Sequence, residues 1–152
     1  ELDKFDAAGR VDGEHPNAQN ADLLPPPYRD HKLLFHPHCH QRAESAADDG
    51  QPTGPAATMA VLRHCGYEVE LSDAGCCGMA GAFGYEKEHY DLSMKIGEMV
   101  LFPEVRAAAE TTLVSAPGTS CRHHIKDGTG RDALHPVEVM YQALKNQAEV
   151  EE

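Results

Sequence analysis

The five cysteines constrain what this chain can fold into more than any other feature of its sequence. They are Cys39, Cys65, Cys76, Cys77 and Cys121, an odd number that includes one adjacent pair. This set makes a poor disulfide framework, because a bond between neighbouring cysteines requires strained geometry. The 152 residues must therefore fold around an ordinary hydrophobic core, and they suffice for about one domain. Free, clustered thiols are typical of metal or redox chemistry in a reducing compartment, so we expect a cytoplasmic protein.

The charge balance excludes several classes of partner. The chain has 13 Lys and Arg against 25 Asp and Glu, a formal net charge of −12. Nucleic-acid sites are basic, and so are segments that bind anionic membrane surfaces. No apolar run approaches the roughly 18 residues of a transmembrane helix. We expect no nucleic-acid partner and no transmembrane segment.

Composition divides the chain into three segments. Residues 1–30 are polar and rich in proline and glycine, which predicts a linker or a surface arm. Residues 31–146 contain all the cysteines and the alternating apolar segments, and they form the predicted cysteine-rich domain. Residues 147–152 form an acidic tail. Because the sequence begins with Glu1 and has no leader pattern, we expect it to be part of a longer protein.

Apolar segments of two kinds alternate within the cysteine-rich domain. Short strand-like runs occupy residues 32–35, 67–71 and 112–116. Helical spacing or helix-start signals mark residues 55–64, 85–101, 120–126 and 136–144. Strands that alternate with helices predict an α/β domain with a small, mainly parallel sheet flanked by helices.

Four of the cysteines follow predicted strands. Cys39 comes after the first strand, Cys76 and Cys77 after the second, and Cys121 after the third. In a parallel sheet, the loops after the strands share the C-terminal edge, where ligands bind. We therefore expect these four thiols to converge there as metal ligands. Cys65 precedes a strand, so we expect a core thiol at the opposite edge.

Glycines surround the adjacent cysteine pair. Gly75 and Gly78 flank it directly, and Gly81 follows three residues later. Glycines allow the backbone to approach a bulky inorganic centre and to adopt positive φ angles. Amide groups in such a turn can also donate hydrogen bonds to cluster sulfides. We therefore assign Gly75, Gly78 and Gly81 to cofactor binding.

Several histidines lie beside the cysteines. His38 and His40 flank Cys39, and they are either metal-site residues or polar loop residues. His124 stands at a CxxH spacing from Cys121, which makes it a candidate metal ligand. His36, in contrast, is expected to be structural.

Three chemical alternatives are open to these thiols. No CxxC pair is present, so the usual spacing of zinc ribbons and ferredoxins is absent. Thiolate sites suit iron–sulfur clusters and zinc alike, and both remain open. A nucleophilic Cys/His enzyme needs a single activated thiol, which four converging thiols do not match.

Three motifs in this sequence resemble a known family, the cysteine-rich CCG domain. That domain occurs in the cysteine-rich subunit of heterodisulfide reductases, in glycolate oxidase iron–sulfur subunits and at the C-terminus of FAD-linked D-2-hydroxyacid dehydrogenases. The resemblance is closest to the last group, the D-lactate and D-2-hydroxyglutarate dehydrogenases with fused iron–sulfur domains. The motifs are His38-Cys39-His40-Gln41, Gly75-Cys76-Cys77-Gly78-Met79-Ala80-Gly81 and Gly118-Thr119-Ser120-Cys121-Arg122-His123-His124.

The resemblance implies an electron-transfer role. It implies a [4Fe–4S]-type cluster held by Cys39, Cys76, Cys77 and Cys121, with FAD on an upstream domain that is not in this chain. Upstream FAD-binding and ferredoxin-like domains would then be its partners, an unidentified acceptor would take the electrons, and the fragment alone would not be catalytic. The heterodisulfide reductase pattern ends in CxxC, whereas this chain has His124 at the last position. Some relatives hold zinc, so a zinc-binding structural or interaction module is the alternative.

Overall fold

The computed structural model describes residues 31–150 and, among these, the side chains of residues 31–145. The predicted arm over residues 1–30 lies outside the described residues, as does the end of the predicted acidic tail. Within the described range, no helix combines the length and the apolar character needed to cross a membrane.

The described residues form an α/β fold around a small parallel sheet, as predicted. Its strands are β1 (Lys32–Phe35), β2 (Glu68–Leu71) and β3 (Leu113–Ser115), in the spatial order β2-β1-β3. A single parallel bridge between Ser115 and Leu134 extends the sheet beyond β3. The helices in this part of the chain are α1 (Cys39–Arg42), α2 (Gly54–His64), a 3-10 turn (Phe83–Tyr85), α3 (Tyr90–Met99), α4 (Leu101–Ala107), α5 (Thr119–Thr129) and α6 (Pro136–Val150).

The three strands end at the same level. Phe35, the last residue of the central strand, pairs with Leu71 on one side and with Ser115 on the other. The ladder continues one step further: the His36 amide donates to the Ser115 carbonyl at 2.8 Å, and the Ser72 amide donates to the Phe35 carbonyl at 2.9 Å. The loops that leave β1, β2 and β3 therefore begin side by side.

The two faces of the sheet carry separate apolar clusters. Successive side chains of a strand point to opposite faces. Leu33 and Phe35 accordingly pack in one cluster with residues of α2 and α6. Leu34 packs in the other with residues of α4 and α5, and this second cluster includes Cys77 and Cys121. Two of the thiols thus belong to the core on one side of the sheet.

The helix predicted over residues 85–101 is shorter than predicted and breaks before a second helix, whose first turn contains Pro103, a residue predicted to open another helical turn. Tyr85 ends the 3-10 turn, α3 ends at Met99, and α4 begins at Leu101. The break follows from Pro103, because a proline has no amide to donate and its ring collides with the carbonyl four residues earlier, which is that of Met99.

The apolar residues Leu92, Ile96, Met99 and Val100 recur at helical spacing, which predicts that they form the buried face of α3, but the observed face differs. Leu92 is 50% exposed and Met99 is 76% exposed, whereas Ser93 and Gly97 are buried. A Cβ atom added at Gly97 would lie 2.4 Å from the Phe102 ring. The close approach of helix and ring, rather than the apolar spacing alone, sets which face is covered.

Gly97→Ala tests this contact. Alanine favours a helix over glycine by about 1 kcal/mol, but overpacking a core costs about 1–3 kcal/mol. We expect the overlap with Phe102 to dominate and the free energy of unfolding in urea to fall. Lys95→Ala, at an exposed position of the same helix, should change it by no more than about 0.5 kcal/mol. A Gly97→Ala chain as stable as the parent would contradict the close contact.

Candidate metal centre

A cavity of about 350 Å³ opens at the C-terminal edge of the sheet. The four thiols that were predicted to converge all line it, although they come from three distant segments. The geometric prediction is therefore met, while the role of each cysteine as a ligand stays a prediction. The lining residues are His38, Cys39, His40, Cys76, Cys77, Ala80, Gly81, Ser120 and Cys121.

Different elements bring the thiols to the cavity. Cys39 is the first residue of α1, and Cys121 lies in the first turn of α5. Cys76 and Cys77 lie in the turn that follows β2. Gly118, just before α5, allows these segments to meet, because a Cβ atom there would lie 2.6 Å from His38 Cδ2 and 2.8 Å from Cys121 Sγ.

The glycine-rich turn shapes one wall of the cavity. Gly78 has a φ of 103°, which favours glycine, and its amide donates to Cys76 Sγ at 3.3 Å. A Cβ atom at this position would also lie 2.5 Å from the Ser93 carbonyl oxygen. Among the three glycines assigned to cofactor binding, Gly81 lines the cavity, Gly78 supports the turn, and Gly75 lies exposed beside the cysteine pair.

Burial divides the four thiols into two pairs. Cys77 is 4% exposed and Cys121 is 2% exposed, so both lie at the inner end of the cavity. Cys39 and Cys76 are exposed and form its outer rim. A centre held by all four would be shielded from water on one side and accessible on the other.

Contact between the two buried thiols shifts their pKa values in opposite directions. Contact with the Cys121 thiol, and secondarily with the nearby His36 ring, lowers the pKa of Cys77 to about 4 despite burial. The same contact with Cys77, together with burial, raises the pKa of Cys121. Cys77 is therefore a thiolate at neutral pH, and the thiolate is the form of cysteine that binds metals.

His36, which the sequence predicts to be structural, lies beside the buried thiols. A ring nitrogen of His36 and the Sγ atoms of Cys77 and Cys121 all lie within 4.8 Å of one another. The side chain is buried, yet neither ring nitrogen has a hydrogen-bonding partner. The alternation of the strand could have revealed this, because His36 shares a face with Leu34, which packs in the cluster of Cys77 and Cys121.

The other candidate histidines have different surroundings. His38 and His40 line the cavity, and His38 Nδ1 accepts a hydrogen bond from the His40 amide at 3.2 Å. His124, in contrast, is not brought to the cavity. Its Nε2 lies 3.1 Å from the Ser93 carbonyl oxygen, and its ring packs against Phe102.

Two arginines fix the loops around the cavity. Arg42 donates to the Ser72 carbonyl oxygen at 2.6 Å, which ties α1 to the segment after β2. Arg122 donates to the carbonyl oxygens of Ala116 and Pro117 at 3.0 and 2.8 Å, which ties α5 to the loop after β3. Hydrogen bonds from these two arginines thus hold α1 against the segment after β2, and α5 against the loop that precedes it.

The donor set fits a metal centre. Four cysteine sulfurs line one cavity, and the unpartnered imidazole of His36 lies within 4.8 Å of two of them, those of Cys77 and Cys121. Thiolate and imidazole ligands are the ones that zinc and iron–sulfur centres use. The site therefore suits metal binding, with a donor set common to both kinds of centre.

Comparison with known proteins agrees with this site. The family model described as "CCG: Cysteine-rich domain" matches residues 33–126. The chain belongs to the CCG cysteine-rich domain family. It is a cysteine-rich domain of the metal-binding or electron-transfer kind, similar to parts of dehydrogenases.

Its curated relatives are much longer proteins. The chain is 31% identical over 94 residues to D-2-hydroxyglutarate dehydrogenase of Escherichia coli (strain K12), covering 62% of this chain and 9% of the relative. It is 30% identical over 114 residues to one subunit of the anaerobic glycerol-3-phosphate dehydrogenase of the same strain, covering 74% of this chain and 26% of the relative. With D-2-hydroxyglutarate dehydrogenase of Pseudomonas putida it shares 33% identity over 91 residues, 58% of this chain and 9% of the relative.

Differential alkylation tests the division of the thiols. In the folded, metal-free chain, iodoacetamide should label Cys39 and Cys76 first, because they are exposed. Cys77 and Cys121 should react slowest, and Cys65 should be intermediate because it is partly buried and burial raises its pKa. Peptide mass spectrometry gives the order, and the chain in denaturant is the control in which the ranking disappears. Labelling of Cys121 before Cys39 would contradict the arrangement.

Proposed function

We propose that this chain is the iron–sulfur electron-transfer domain of a flavin-dependent D-2-hydroxyacid dehydrogenase. In this proposal it passes electrons from the flavin of an upstream domain to an acceptor. The observation that carries the proposal is the convergence of four cysteine sulfurs from three segments on one cavity. The similarity to D-2-hydroxyglutarate dehydrogenases supports the choice of parent enzyme.

The four cysteines match the ligand requirement of such a centre. A [4Fe–4S] cluster is held by four cysteine thiolates, and here Cys39, Cys76, Cys77 and Cys121 would hold it. When bound, the cluster supplies one-electron redox chemistry. The task of the protein is to bind and shield the centre, and the buried Cys77 and Cys121 exclude water from its inner side.

The outer rim is the side from which electrons would arrive. Cys39 and Cys76 are exposed there, so a redox partner could approach the centre closely. We propose upstream FAD-binding and ferredoxin-like domains as these partners, in keeping with the small share of its relatives that the chain covers. Oxidation of the hydroxyacid belongs to the flavin domain, and we assign no catalytic residue to this chain. The unpaired thiols favour a cytoplasmic location.

One observation favours a second candidate, a zinc-stabilised structural or interaction module. His36, Cys77 and Cys121 form a compact group of three donors, and zinc sites commonly combine cysteine with histidine. In this case, the same cavity would hold one ion without redox chemistry.

Anaerobic reconstitution separates the two candidates. The chain is incubated with iron and sulfide, or with zinc, and then desalted. We expect a brown protein with about four iron and four sulfide per chain and an EPR signal on reduction. A colourless protein that takes up one zinc per chain and no iron would overturn the electron-transfer proposal in favour of the zinc module.

Cysteine substitutions test the ligand assignment with a matched control. Cys77→Ser should abolish retention of the centre, because it removes a buried thiolate from the cavity. Cys65→Ser should leave retention unchanged, because Cys65 packs against the cluster on the other face of the sheet. Metal analysis and visible absorption measure the loss, and circular dichroism checks folding. Equal loss in both variants would defeat the assignment.

A further inference from the structure

We infer that His36 is a protein ligand of the metal centre, so that a nitrogen joins the cysteine sulfurs in its coordination. The inference rests on the proposed metal-binding function, and it applies to a zinc ion directly and to a [4Fe–4S] cluster only if His36 replaces one of the four cysteines, since each iron takes one protein ligand. It assigns a ligand outside the three cysteine motifs, at the end of the first strand.

The first argument is the missing partner of His36. Its side chain is only 1% exposed, and neither Nδ1 nor Nε2 has a hydrogen-bonding partner. Buried polar groups of native proteins are almost always paired, with protein, water or a bound group. No described group meets the geometry of a hydrogen bond to the ring, and a bound group that also meets the Cys77 and Cys121 thiols would satisfy it.

The second argument is the proximity of the His36 ring to two cysteine sulfurs. Within 4.8 Å of one of its nitrogens lie the Sγ atoms of Cys77 and Cys121. Both thiols also line the cavity. A metal ion that binds these two sulfurs is therefore within reach of the nitrogen as well.

The third argument is the rigidity of the position. The His36 amide donates to the Ser115 carbonyl oxygen at 2.8 Å, so the residue extends the central strand of the sheet. Pro37, which follows, is fully buried and restricts the backbone there. Ligands on such supported elements are held in place before the metal arrives.

His124 is the competing nitrogen donor, and its surroundings disfavour it. The Ser93 carbonyl can only accept a hydrogen bond, so His124 Nε2 must carry the proton in their 3.1 Å contact. A protonated nitrogen cannot bind a metal, so this contact removes Nε2, but not Nδ1, as a possible ligand atom of His124. His124 also lies outside the group of close donors that His36 forms with Cys77 and Cys121, and His38 and His40, which line the cavity, are the remaining competitors.

X-ray absorption of the zinc-loaded, 152-residue chain tests the inference without redox activity. One equivalent of zinc should show a mixed first shell, with nitrogen at about 2.0–2.1 Å and sulfur at about 2.3 Å. In His36→Cys, zinc should be retained and the shell should consist of sulfur only. His36→Ala should weaken zinc binding about tenfold or more, as measured by competition with a chelator.

Matched variants exclude the other histidines. His38→Gln, His40→Gln and His124→Asn, separately and combined, should keep both the nitrogen scatterer and the zinc affinity of the parent. Loss of the nitrogen in any of them, or its persistence in His36→Cys, would overturn the inference. A sulfur-only shell in the parent chain would overturn it even if the His36 variants did not fold.

The outcomes also separate this inference from the proposed function. If zinc binds with a nitrogen from His36 but reconstitution yields no iron–sulfur centre, His36 stands as a ligand and the electron-transfer proposal fails. If the iron–sulfur centre forms while the zinc-loaded parent has a sulfur-only shell, the electron-transfer proposal stands and His36 is not a ligand.

Discussion

The parallel hydrogen-bond ladder at the ends of the three strands is the constraint on which the rest of this structure depends. Phe35 pairs with Leu71 and Ser115 at one level, and the ladder continues through the His36 and Ser72 amides. A slip of one residue in a strand would exchange its two faces. Such a slip in β1 would turn His36 away from the buried thiols. The register of a few short strands therefore determines whether a metal centre can form at all.

The site combines an inner and an outer half with different environments. The inner half belongs to the hydrophobic core, where Cys77 and Cys121 are desolvated and their contact lowers the pKa of Cys77 and raises that of Cys121. The outer half consists of exposed thiols on α1 and on the glycine-rich turn. Solvent exposure and hydrogen bonds to sulfur are among the factors that set the potential of a thiolate-bound redox centre. The Gly78 amide bond to Cys76 Sγ is one such factor in the described structure.

The sequence was sufficient for the architecture and for the convergence of the thiols. Short apolar runs marked all three strands to within a residue of each end, because a strand in a small parallel sheet is bounded by clear turn residues. The placement of Cys39, Cys76 and Cys121 followed from topology alone, because the loops after parallel strands share an edge. No side-chain detail was needed for either conclusion.

Tertiary contacts determine the features of the structure that the sequence pattern did not predict. The exposure of Leu92 and Met99 depends on the fit of Gly97 against Phe102, which helical periodicity does not contain. His124 matched a ligand spacing, but Ser93, a residue far away in sequence, occupies its Nε2. His36 lies outside the cysteine motifs, and only the strand face that it shares with Leu34 indicates its proximity to Cys77 and Cys121.

The topology also has a consequence for how the protein is made. The central strand pairs with segments that come much later in the chain, so the cavity is complete only once β3 has docked beside β1. Long-range strand pairing of this kind is slow, since the closure of a large loop precedes the stabilising contacts. Until then all the sulfurs are open to solvent and to oxidants. Docking of the strands buries only Cys77 and Cys121, because Cys39 and Cys76 stay exposed in the folded chain.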